Sequence, residues 1–388
     1  MAASVAAMTF QSHHISMPFE QMEIPNPKTP PLAGIRILEF AGLGPAPYGG
    51  MLLADLGADV LRIDRPGAAD LFAVMNPPVD RGKRLLMLDL KDASAVELCL
   101  RIVEKADVLI EGFRPGVMER LGLGPDAAMA RNPRLIYARM TGWGQDGPMA
   151  QTAGHDMTFL ALTGALHAIG PAEGLPVPPL NLVGDMGGGG TFLVIGILAA
   201  LLERQKSGLG QVIDAAIVDG VVSQLTMILG LRAGGLWDQP RGHNLLDGGL
   251  PFYRTYRCSD GKFIAVGALE PKFFAKLIGG LGLDPSHYLP RQYDRSQWPA
   301  LHREFEKIFA DKPRDEWAAL FDRSDACLVP VLDFEEAARQ PHNAARSTFI
   351  EVDGRLQPSP APRFSRSKTS TGTHGGDGEA ALKEWGVT

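Results

Sequence analysis

Apolar and polar positions change rhythm several times along this chain, and the rhythm predicts its architecture. Ile35–Phe40 is a short apolar run closed by Ala41-Gly42, the pattern of a strand buried on both faces. Pro47–Leu56 follows as a helix that stops at Gly57. Val60–Ile63 and Arg84–Leu88 predict a second and a third strand. Ala93–Lys105 carries apolar residues at helical spacing, and Val108–Ile110 and Leu135–Ala138 predict two further strands. Alternating strands and helices mean βαβ units. The expected class is α/β, with a mostly parallel sheet covered on both faces.

The rhythm changes after about Ser223. Residues 236–256 are rich in Gly, Pro, Asp and Asn and predict a linker. A strand at Phe263–Gly267 and helices at Phe273–Gly280, Trp298–Ala310 and Asp315–Phe321 then predict a smaller unit. From Gln357 the tail is rich in Pro, Ser, Thr and Gly, and a loop-like course is expected. The division is an extension over 1–31, a large domain over 32–225, a linker over 226–257, a small α+β domain over 258–340, and a return segment with tail over 341–388.

Composition narrows this picture. The chain has 388 residues, 45% hydrophobic and 21% charged, which suits a real core and more than one domain. A net charge of −6 argues against a broad nucleic-acid surface but leaves room for local phosphate sites. The cysteines, Cys99, Cys258 and Cys327, are odd in number and form no CxxC pair. Neither a disulfide framework nor a zinc site is expected, and a reducing, cytoplasmic setting fits. Residues 1–31 have no basic start and no arginine, and they carry Glu20 and Glu23, unlike a secretory or mitochondrial leader. They predict a mobile extension. The longest apolar run, Thr191–Leu202, has about 12 residues where a bilayer needs about 20, so no membrane partner is expected. The end, Gly386-Val387-Thr388, is not a Ser-Lys-Leu type of peroxisomal address.

Several turns carry chemistry. Gly42-Leu43-Gly44-Pro45-Ala46-Pro47 follows the first strand and Asp64 ends the second, a weak likeness to a dinucleotide fingerprint. Pro47 replaces the third glycine, so a plain βα turn with proline at the helix start reads as well. Arg65, Arg114 and Arg120 flank βα junctions, where they serve as phosphate ligands or as solvated surface arginines. Gly154-His155-Asp156 follows a glycine-rich stretch. It offers a general base with a charged neighbour, or a structural histidine. Asp185 precedes Gly187–Gly190 and a long apolar helix. An acid there is a helix cap or a catalytic group stabilised by the helix dipole. The glycines suggest close approach of a ligand to backbone, whose N–H groups could stabilise an enolate oxygen. Glu270 before Pro271 reads equally as a helix-start acid or a site residue.

The ordered blocks Ala54–Val60, Arg62–Pro66, Gly112–Val117, Leu135–Arg139, Gly154–Asp156, Pro179–Asp185, Gly208–Ala215 and Pro360–Ser365 resemble the family III CoA-transferase superfamily, and its racemase branch within it. The resemblance runs from about Leu32 to Ser365. It implies a Rossmann-like large domain built from the first half and the chain end, a small middle domain, and an interlocked homodimer with each site between subunits. It implies an acyl-CoA substrate, inversion of a 2-methylacyl thioester by proton transfer, and no metal or other cofactor. His155 and Asp185 match the two bases, with Asp156 beside them, and Glu270 matches an acid that supports the histidine. Arg65, Leu88-Asp89-Leu90-Lys91, Gly112-Phe113-Arg114 and Arg120 match coenzyme A contacts. Gly154, Met157, Thr158, Phe159 and Tyr253 match positions near the acyl thioester. Racemases of this type often continue Ile-Asn-Tyr after Gly-His-Asp, where this chain has Met157-Thr158-Phe159. The nearest alternative is a CoA-transferase in which the acid at Asp185 attacks a thioester. That branch lacks the histidine.

Overall fold

A computed structural model of the chain describes residues 29–67, 77–352 and 354–387. Most of the predicted extension, 1–28, lies outside the described residues. The main sheet has seven strands in the order β12-β3-β2-β1-β4-β5-β6, every pair parallel. These are β1 (Arg36–Phe40), β2 (Asp59–Asp64), β3 (Lys83–Met87), β4 (Val108–Glu111), β5 (Ile136–Thr141), β6 (Val212–Ala216) and β12 (Gly376–Asp377). The run 3-2-1-4-5-6 is the doubly wound order. Its ligand crevice opens where the order reverses, outside the ends of β1 and β4.

Side-chain alternation explains why this sheet is buried on both sides. Ile37, Val60, Val108, Ile110, Ile136 and Ala138 enter one core, against helices Pro45–Asp55 and Thr191–Ser207. Leu38, Phe40, Leu61, Ile63, Leu109 and Tyr137 enter the other, with Cys99, Ile102 and Val103 of helix Ala93–Val103. Successive residues of one strand thus serve opposite layers.

A third core forms around an antiparallel three-stranded sheet of β7 (Tyr253–Arg257), β8 (Phe263–Gly267) and β9 (Leu328–Pro330). Phe252, Phe274, Phe305, Phe309 and Trp317 fill it with tilted and edge-on aromatic contacts. An antiparallel pair, β10 (Phe349–Val352) and β11 (Arg355–Pro358), follows.

One expectation is corrected, and two other segments gain detail. The tail expected to be loop-like contains the end of β11, β12 and the helix Gly378–Trp385, and β12 extends the main sheet beside β3. The stretch 236–256 is knotted rather than slack. Buried Asn244 donates to the carbonyls of Gln239 and Pro240 and to Asp247, which also accepts the N–H groups of Gly242 and Gly249. Arg241 binds three carbonyls, of His167, Pro171 and Gly174. The apolar run of about 12 residues belongs to a continuous helical segment of 26, Leu182–Ser207, long and apolar enough by those measures to cross a membrane. Leu193, Ile197 and Leu201 lie buried in the core beneath the sheet.

Candidate active site

A cavity of about 760 Å³ opens at the carboxyl ends of β1 to β3, beside the crevice that the strand order predicts. Phe40–Leu43, Arg62–Arg65 and Leu88-Asp89-Leu90-Lys91 line it, together with Phe113. Arg65 and Lys91 are exposed cations on its wall. Gly112 and Arg114 lie on the neighbouring turn after β4, and Arg120 ends the short helix Val117–Arg120 that follows; none is on the lining, and both arginines are exposed. That turn is fixed from below. Glu111 is fully buried, accepts the N–H of Phe113 at 2.8 Å and pairs with Arg139 at 2.9 Å.

Charges form the cavity floor. Lys83 donates to Glu39 at 2.7 Å and to the carbonyl of Pro47 at 2.9 Å, and both side chains are out of water. Burial pushes Glu39 up and Lys83 down, and each partner opposes the other's shift. Arg62 pairs with Asp64 at 3.0 Å and with Asp80. His374, which sequence reasoning missed, also lines the cavity. It is brought there by a backbone bridge to Arg81 far away in sequence, a contact no local motif reveals.

The candidate acid–base residues sit on a different kind of frame. Leu182–Gly190 is a π-helix with Asp185 in its first turn, running directly into the helix Thr191–Ser207. Such wide turns are rare and occur at functional positions. The glycine run has a cause other than the one expected. Side chains at Gly188, Gly189 and Gly190 would strike Val221, Pro45 and Tyr48 at 2.6 to 2.8 Å. The glycines let helices Pro45–Asp55 and Ile217–Gln224 pack against the π-helix backbone. Nor is the N–H of Asp185 free for an oxyanion: it donates to Asp156 at 2.7 Å.

Asp156 is therefore the structural partner of Asp185. It begins the helix Asp156–Thr163, and a Cβ on Gly184 would fall 2.2 Å from its carboxylate. Its second oxygen is buried without a partner, and burial pushes its carboxyl up. Asp185 is pushed up to about 6, first by burial and then by the charge of Asp156, while His155 and Asn181 pull it down. The Gly42–Gly44 turn closes on it, since a Cβ on Gly44 would lie 3.1 Å from the Asp185 carboxylate. The structure thus brings His155, Asp156 and Asp185 together.

His155 caps its helix with an exposed side chain. Its N–H donates to the Thr158 hydroxyl at 2.9 Å, and that hydroxyl donates back to the His155 carbonyl at 2.7 Å. Met157 is exposed. Phe159 is buried edge-on against Trp143, at 4.8 Å between rings. Glu270 stands at the start of helix Pro271–Gly280, exposed, with no cap bond from its side chain. Its charge helps push up Tyr293 and Cys327, after burial. It is not among the described charges acting on Asp185. Tyr253 lines a separate cavity of about 380 Å³ with Arg254 and Cys327. Among the described residues no cluster is suited to a metal ion.

Comparison with known proteins gives a consistent set of likenesses. The model of CoA-transferase family III matches residues 32–375. The chain is 48% identical to mouse α-methylacyl-CoA racemase, over 87% of each chain. It is 47% identical to the human enzyme of that name, over 85% of this chain and 86% of the relative. Among solved structures, a CAIB/BAIF family protein from Brucella suis superposes with a TM-score of 0.79 at 26% identity, covering 92% of this chain and all of its own.

Proposed function

The chain belongs to CoA-transferase family III, and from that premise we propose that it is an α-methylacyl-CoA racemase, interconverting (2R)- and (2S)-2-methylacyl thioesters of coenzyme A. The observation that carries this reading is the juxtaposition of His155 with an Asp185 whose carboxyl is pushed up to about 6. The α-proton of a thioester is weakly acidic, so removal needs a base on one face and return needs an acid on the other. A carboxyl that titrates close to neutrality can take either part, and an imidazole can take the complementary one. Asp156 positions the pair by accepting the Asp185 N–H and raising its proton affinity.

In this reading the cavity along β1 to β3 takes coenzyme A, with Arg65 and Lys91 toward its phosphates and Arg114 and Arg120 on the adjoining turn and short helix. The chemistry uses no metal or redox cofactor, and coenzyme A arrives as part of the substrate. Tyr253 and Glu270, together with Gly154 and Met157, belong to the thioester end. Glu270 acts from the partner subunit of an interlocked homodimer, where a carboxylate near His155 favours the imidazolium. Light scattering that finds an active monomer would remove the partner from the scheme.

The decisive experiment incubates one pure 2-methylacyl-CoA epimer in deuterated water. Optical inversion and α-deuteration must appear together. Transfer of coenzyme A to a free acid without inversion, with an acyl group trapped on Asp185, would establish the transferase chemistry of the wider family instead.

A further inference from the structure

We propose that Thr158 and Phe159 are positioning residues for His155, an inference that rests on the proton-transfer reading above. His155 is exposed, and the bonds that fix it run through its backbone. Its ring can be aimed only as well as the Gly154–His155 backbone is held. Two neighbours hold it. The Thr158 hydroxyl accepts the His155 N–H at 2.9 Å and donates to the His155 carbonyl at 2.7 Å, closing both polar groups of that residue on one side chain. The Phe159 ring fills the space between two turns. A Cβ on Gly142 would come 2.1 Å from the ring, and one on Gly154 would come 2.5 Å from it.

The ring is therefore a wedge between the end of β5 and the turn that carries the base. Trp143 backs it edge-on at 4.8 Å and is itself tied to the Thr152 carbonyl at 3.1 Å. Both glycines are required by the wedge. The two residues at which this chain departs from the family's Asn-Tyr pair are thus the ones that grip the histidine turn. An apolar ring suits a site sealed by Trp143, Gly142 and Gly154, and the threonine supplies a bond that reaches backbone.

Misplacing one base has a signature that general loss of structure lacks. Each base removes the proton from only one epimer. A displaced His155 stops exchange that starts from its epimer, while Asp185 still exchanges the α-proton of the other without inverting it. The test compares Thr158→Val, Phe159→Ala and Phe159→Leu with Thr158→Ser, measuring α-deuteration of each epimer separately. Thr158→Val and Phe159→Ala should lower kcat for inversion roughly 10–100-fold, the scale of a small misplacement. KM should stay within about twofold, because the coenzyme A grip is elsewhere. Deuteration should collapse from one epimer and persist from the other, and Thr158→Ser should restore both. Equal loss from both epimers in folded variants, or no loss from either, overturns the proposal. If Phe159→Ala does not fold, Thr158→Val and Phe159→Leu decide the matter. A wild-type enzyme that deuterates neither epimer overturns the racemase reading itself, a result distinct from the first two.

Discussion

The two ends of the candidate site are built on opposite principles. The cavity along β1 to β3 rests on ion pairs: buried Glu39 with Lys83, Arg62 with half-buried Asp64 and Asp80, and, beside them, buried Arg81 with Asp55. The acid–base end has no such pair. Asp185 is held by glycine-mediated packing and by one N–H bond to Asp156, and His155 by backbone contacts. The difference fits the tasks proposed for the two ends. A binding wall gains from charges locked in one state. A group that must alternate between two protonation states cannot have a fixed counter-ion, because the pair would pin it in one of them. Burial and a like charge bring Asp185 close to neutrality instead.

The largest test of this contrast removes the bases. His155→Ala and Asp185→Ala should each cut inversion by about 10²–10⁴-fold, measured by polarimetry, without moving the unfolding midpoint downward. A variant that keeps more than about a tenth of the activity removes that residue from the mechanism.

The next strikes the other end. Glu39→Gln leaves Lys83 buried beside a neutral amide and should cost about 3–5 kcal/mol in urea unfolding. An unchanged midpoint would show that the pair contributes nothing to holding the floor.

A smaller effect is expected from Arg65→Ala, which removes an exposed cation from the cavity wall. KM should rise several-fold to about tenfold with kcat nearly intact, because that contact is equal in ground and transition states. A collapsed kcat at constant KM would put Arg65 near the reacting carbon.

The smallest effect is in stability and has a definite sign. The Asp185 carboxyl binds its proton more tightly folded than unfolded, so its contribution favours the fold at low pH and is lost as pH rises from about 4 through about 6. At neutral pH the charged group is a burden. Asp185→Asn should therefore be more stable than wild type at pH 7, on the order of 1 kcal/mol after solvent screening, and should lose that advantage by pH 4. Chemical denaturation at the two pH values measures it, and a less stable Asn variant at pH 7 would refute the assignment.

The fold was legible wherever burial on both faces made strands into apolar runs, as at Ile37–Phe40 and Val108–Ile110. It was not legible at β6, whose outer face carries an exposed Val212 and Asp214 and reads as polar, nor at β12, which has only two residues. The candidate side chains stood out because they lie beside glycine-rich segments. Their arrangement was not. The bond from Asp185 to Asp156 spans 29 positions, and the floor pair of Glu39 and Lys83 spans 44. The glycine run after Asp185 was misread for a physical reason. A sequence reveals that side chains are missing, not whether a ligand or a neighbouring helix uses the space.

The strand that completes the main sheet is made long after the strand it pairs with. Asp377 of β12 leaves the ribosome about 290 residues after Leu85 of β3, its partner in the finished sheet. At roughly 5–20 residues per second that is a quarter of a minute to a minute. Throughout that interval the β3 edge is open to any passing strand, the hazard that unpaired edges present. Lys83 and Arg84 lie along that edge, and charged residues are what natural edges use to discourage association. In the finished protein one is sealed against Glu39 and the other bonded to Asp59.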